Sequence, residues 1–152
     1  MITRPTTEQL LLDCATELMR GVLPAVSDPN AIVRIYMIEQ VLRNAAIRCA
    51  HEIRWMRDEI PPIEAFARDV YEAAPNGDVS TLITRLALSD SQALDLDAVV
   101  ERYQCAGDLL SAALETTVLA GLDDLRDTGE HILAARLDRE REVMAGWSPT
   151  GR

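Results

Sequence analysis

The sequence predicts an all-α fold, an up-down helical bundle of four longer helices with one or two short crossover helices. Three observations carry this expectation. Apolar residues recur at three- and four-residue steps in several separate stretches. Residues that start and stop helices lie between those stretches. No segment alternates apolar and polar residues between turn signals, as a half-buried strand requires.

The first helix opens at Thr6-Thr7-Glu8-Gln9, a capping-box pattern in which the Thr6 hydroxyl and the Gln9 amide satisfy each other's backbone. Its expected stripe is Leu11, Cys14, Leu18 and Val22. Gly21 weakens the last turn and Pro24 stops it, because the proline ring clashes with the preceding turn. Ser27-Asp28-Pro29 then gives a cap followed by proline at the first helical position, and no breaker follows until Pro61-Pro62. This predicts one helix of roughly thirty residues, about 45 Å long. Ile35, Ile38, Leu42, Ala45, Cys49, Ile53, Met56 and Ile60 share its inner face.

Pro61-Pro62 is expected to open a separate short helix through Ala65, Phe66, Val70 and Ala73, ended by Pro75-Asn76-Gly77. A brief helical stretch runs from about Val79 to Leu88. After Ser89-Asp90-Ser91, either Asp95 or Ser91 caps a second long helix bearing Leu96, Val99, Tyr103, Ala106, Leu110, Ala113 and Thr117. The last helix spans about Asp123 to Ala145, with Leu125, Ile132, Leu133, Leu137 and Met144 apolar. Residues 1–146 are expected to form one domain, and 147–152 a tail.

The 152 residues are 48 % hydrophobic, enough to bury a core without metal or disulfide. Fifteen basic residues against 25 acidic ones give a net charge of -10, which repels nucleic-acid phosphates and anionic lipid. All fifteen are arginine. No lysine exists to form a Schiff base or to serve a P-loop or kinase site. Cys14, Cys49 and Cys105 lie in apolar-periodic segments and read as small buried side chains in a reducing compartment. The first residues carry no charged leader with an apolar run, and no apolar run reaches membrane-spanning length, so the expected location is cytoplasmic.

Two histidines cannot build a three-histidine metal site, and neither has Glu three residues before it as a di-metal bundle requires. No metal and no cofactor is expected. The seven glycines form no phosphate-binding loop and no nucleophile elbow. Asp90, Asp95 and Asp97, and then Asp123, Asp124 and Asp127, gather at helix starts, where capping and the helix dipole account for them.

Two constellations remain. Asn44, Arg48, His51 and Trp55 stand at steps of four, three and four on the long helix and share a face. Arg48 and Trp55 suit either a pocket for an anion or carboxylate or an anchor for a protein partner. The plainer account pairs Arg48 with Glu52, leaves His51 solvated and packs Trp55 under a neighbouring helix.

The second is Arg126-Asp127-Thr128-Gly129-Glu130-His131, which resembles the Arg-x4–6-His motif of ribonucleases of the HEPN helical-bundle family. The resemblance implies a dimer in which Arg126 steadies a phosphate and His131 assists attack by a ribose hydroxyl. Fifteen arginines and two histidines make such a match about as common by chance as not, and the acidic balance opposes RNA.

Arg4-Pro5-Thr6, Glu8, Leu10-Leu11, Val22-Leu23-Pro24, Tyr36, Val41, Asn44 and His51-Glu52-Ile53 together resemble a small uncharacterised bacterial helical family encoded near phosphotransferase-like kinases and acyl-CoA dehydrogenases. The resemblance covers the first third of the chain. It implies a non-catalytic companion of an enzyme. Ile32, Met37, Ile47 and Trp55, outside the main stripe of the long helix, suggest a second face buried in a homo-oligomer. The expected function is therefore that of a non-catalytic interaction or accessory protein, dimeric, with an anion-binding bundle and a HEPN-type ribonuclease as the alternatives.

Overall fold

The computed structural model describes residues 4–144; 87 % of them are helical, and none is in a strand. Five α-helices follow one another: α1 Thr7–Glu17, α2 Pro29–Ala73, α3 Gly77–Leu88, α4 Leu96–Ala120 and α5 Asp123–Met144. A π-helical turn at Leu18–Val22 and a 3-10 turn at Leu23–Ala25 carry the chain from α1 to α2, around the predicted breakers Gly21 and Pro24. The expected end of the last helix at Ala145 and the tail 147–152 lie outside the described residues.

Most helix starts follow the predicted chemistry. Thr6 and Gln9 form the full capping box on α1. The Asp28 carboxylate accepts the Asn30 N–H where Pro29 opens α2. Asn76, read from the sequence only as part of a turn, caps α3 through the Asp78 N–H, so that α3 starts at Gly77 and not near Val79; Asp95, not Ser91, caps α4 by accepting from Asp97 and Ala98.

α2 departs from expectation. It runs 45 residues, straight through Pro61 and Pro62, where a new short helix was predicted. Proline in a helix removes an N–H and leaves the carbonyl four residues back without its donor. The freed carbonyls are those of Arg57, half-buried, and Asp58, exposed, and both prolines are exposed, so the interruption falls on the outer side of α2. Meanwhile Met56, Ile60, Ile63, Phe66 and Val70 are buried on both sides of the prolines, and their common face holds the helix together across them.

The chain divides into two compact units, residues 1–52 with 139–152, and residues 53–138. The second has a dense core in which Ile63, Phe66 and Val70 of α2 meet Val79 and Leu86 of α3 and Ala106, Leu109, Leu110 and Ala113 of α4. Leu125 and Ile132 of α5 pack against it. The first unit is thinly packed. Its buried hydrophobic residues among those described are Ala15, Ile35, Ala46 and Val143.

Several stripe residues are corrected by this arrangement. Ala15 rather than Cys14 is the buried residue of α1, and Cys14 and Cys49 are exposed, leaving Cys105 as the cysteine that fits the core reading. Ile38 on α2, Leu96 on α4, and Leu133, Leu137 and Met144 on α5 are exposed, because the elements carrying them bury narrower faces than an apolar count implies.

α4 ends at Gly121, whose φ of 67° is left-handed, while the Leu122 N–H returns to the Thr117 carbonyl at 2.9 Å. A side chain there crowds the backbone. Gly121→Ala is expected to cost about 1 kcal/mol of stability, read as a lower urea midpoint with unchanged slope.

Candidate functional site

The predicted polar face of α2 is divided between the units: Asn44, Arg48 and His51 belong to the first, Trp55 to the second. Gln40 donates to the Asn44 side-chain oxygen at 3.0 Å, and the Asn44 amide lies 4.0 Å from the Met144 sulfur. Arg48 pairs with Glu140 of α5 at 3.6 Å, and not with Glu52 as the plainer sequence account held. The end of α5 lies within reach of this stretch of α2, and it supplies the carboxylate. Both side chains of the pair are more than half exposed, so the contact contributes little. His51 and Trp55 are half-buried.

Arg126 and His131 both lie on α5. Five residues separate them, which at 3.6 residues per turn places them roughly 140° apart around the helix. Arg126 Nη1 pairs with Asp123 at 3.1 Å, and its buried Nε stands 3.6 Å from Glu130, outside hydrogen-bond reach. His131 is exposed, and its Nδ1 sits 2.7 Å from the Asp127 carbonyl of its own helix, an arrangement that puts the proton on Nδ1. One chain alone does not turn the two side chains toward a common point.

The capping account fits the first acidic cluster, while in the second Asp123 pairs with Arg126 and Asp127 lies past the first turn of α5. Asp95 caps α4, Asp97 and Asp123-Asp124 occupy first turns, and Asp90 accepts the Gln92 N–H in the preceding turn. Among the described residues no group of three His, Cys, Asp or Glu is placed to hold a metal ion. Nor is any helix among them long and apolar enough to cross a membrane.

Sequence reasoning missed a closed polar circuit, which lies in the second unit. Tyr103 of α4 donates to Glu59 of α2 at 2.6 Å and accepts from Arg136 Nη2 of α5 at 2.6 Å. Arg136 Nε closes the circuit to Glu59 at 3.1 Å, and its guanidinium lies 4.9 Å from the centre of the Tyr103 ring. Glu59 is 8 % exposed. Burial first, then the hydrogen bond and charge of Glu59, push the Tyr103 phenol above its ordinary range, while Arg136 pulls it down. The circuit joins three helices through the phenol, the carboxylate and two of the three guanidinium nitrogens.

A second feature is a cavity of about 300 Å³ between the end of α3 and the start of α4, bordered by Arg85, Ser89, Glu101, Arg102 and Cys105 among others. Arg102 Nη1 donates to the Leu86 carbonyl at 2.9 Å, the Ser89 carbonyl at 3.0 Å and the Ser89 hydroxyl at 2.6 Å, so this side chain closes the end of α3. None of the four residues predicted on α2 borders it.

No family model, no curated protein and no solved structure matches this chain.

Proposed function

We propose that this chain is a non-catalytic helical-bundle interaction protein that pairs with a second copy of itself through its first unit. The observation that carries the reading is the imbalance between what that unit buries and what it exposes. Against four buried hydrophobic residues, α2 presents Val33, Met37 and Val41 at steps of four, with Tyr36 and Ile38 beside them, all exposed. Met37 is 61 % and Val41 64 % exposed. Together these neighbouring side chains leave an apolar stretch of α2 open to solvent, and exposed apolar patches are often interaction sites.

Charge favours a second copy as the occupant. The first unit holds eight arginines and eight acidic residues and is neutral, whereas the second holds seven arginines and seventeen acidic residues. The entire charge of -10 therefore resides in residues 53–138. Two neutral apolar faces meet without electrostatic cost, and neither unit carries the positive excess that nucleic acid or anionic lipid selects. Cys14 and Cys49, free and exposed, suit a reducing compartment, and the proposed setting is the cytoplasm. The companion role implied by the family resemblance adds an enzyme partner as a further occupant to be tested.

Light scattering after size exclusion is expected to give twice the mass of the 16.8 kDa chain. Met37→Glu with Val41→Glu is expected to weaken pairing by more than about tenfold while leaving helical circular dichroism unchanged, since both positions are exposed within one chain. A native protein that is monomeric at every concentration overturns the reading, unless an enzyme co-purifies stoichiometrically and is lost with the same double substitution.

A further inference from the structure

The second unit holds seventeen acidic residues for seven arginines, so a guanidinium there should rarely lack a carboxylate. Arg54, Arg68, Arg126 and Arg136 each have one. Arg57 instead donates to the Ser91 carbonyl at 3.3 Å. Arg85 and Arg102 pair with no carboxylate among the described residues, and both border the same cavity of about 300 Å³.

We propose that this cavity at the α3–α4 junction is a binding site for a small organic anion, whose carboxylate or phosphate group lies between Arg85 and Arg102. This proposal stands on different residues from the pairing face of α2 and does not depend on it. Arg102 is held in place, because its Nη1 is fixed by three oxygens at the end of α3 while Nε and Nη2 carry no hydrogen bond among the described residues. Arg85 is exposed and free to close over a ligand.

Glu101 and Asp90 also border the cavity, yet neither closes on either guanidinium, and Asp90 is occupied by the Gln92 N–H. Leu88 and Ala98 supply apolar wall for a carbon skeleton, and the volume suits a molecule of metabolite size. Two guanidinia at one partly enclosed site bind oxyanions through charge-assisted, bidentate hydrogen bonds.

The test is a titration of the full chain, followed by amide proton–nitrogen correlation spectra, with malonate and with inorganic phosphate, against sodium chloride at equal ionic strength. Saturable shifts concentrated at residues 85–90 and 101–105 are expected with at least one of the two. Saturation by malonate alone identifies a carboxylate, and saturation by phosphate alone a phosphate ester, as the ligand group; either supports the site. Arg85→Gln is expected to weaken binding by about tenfold, the worth of one charge-assisted contact. That variant keeps its fold, because Arg85 is exposed and bonded to nothing else described. Shifts that stay linear like those of chloride, or an affinity unchanged by Arg85→Gln, overturn the proposal.

Discussion

Replacing Glu59 with leucine is expected to lower the unfolding free energy by about 3–5 kcal/mol, because it strands the partners of a buried charge. Glu59 receives both the Tyr103 hydroxyl and the Arg136 guanidinium, and without it the phenol loses its acceptor and the cation its carboxylate. Arg136 is 29 % exposed, so water recovers part of its charge and the lower end of the range is expected. Glu59→Leu with Arg136→Leu should regain much of the loss, since both charges then leave together. Tyr103→Phe should cost only about 1 kcal/mol, the net worth of a hydrogen bond. Urea unfolding of the three variants decides the matter: a double variant no better than the single one means the circuit is not a coupled unit.

The same circuit sets an alkaline limit. Tyr103 holds its proton more tightly in the folded chain than its ordinary value of 10.0, so the native state binds more protons than the unfolded chain above that pH. Stability from this group is therefore fully present below about pH 10 and is lost as pH rises through the raised folded value. Glu59→Leu removes two of the three causes that raise it, and the alkaline loss should shrink accordingly.

Glu59 also shows what the sequence did and did not disclose. It stands three residues after Met56 and four before Ile63, on the buried face of α2, and a carboxylate on an apolar stripe requires a cation from elsewhere. That signal was present at Glu59. Its partner was not identifiable, because Arg136 lies 77 residues away in a run of mixed charge that looks like any solvated helix face. Caps were legible because their chemistry is local: Thr6 with Gln9, Asp28 before Pro29, and Asp95 all act within three residues, whereas Asn76 read only as part of a turn. Pro61-Pro62 misled for the opposite reason, since the burial that carries α2 past them comes from α3 and α4. The cavity between Arg85 and Arg102 was likewise invisible, as a loop of seven residues separates the helices that enclose it.

Phe66→Ala is expected to cost about 3–5 kcal/mol, and it should make an otherwise harmful change at Gly129 nearly harmless. Phe66 is 1 % exposed, and its ring tip lies 2.8 Å from where a Cβ on Gly129 would sit, with Leu114 Cδ2 at 2.4 Å. Alanine is a better helix former than glycine by about 1 kcal/mol, so propensity alone predicts that Gly129→Ala stabilises α5. Close packing predicts the reverse, a net loss of about 1–3 kcal/mol from overfilling a dense core. In the Phe66→Ala background the ring is gone and Leu114 can turn into the space it leaves, so Gly129→Ala should cost little there or even help. A double-mutant cycle by chemical unfolding is thus expected to show a coupling of at least about 1 kcal/mol. Additive costs would mean that α5 moves away from α2 without resistance. The outcome also bears on the Arg126–His131 motif, since a glycine required by Phe66 and Leu114 is explained by helix packing and lends no weight to ribonuclease chemistry around it.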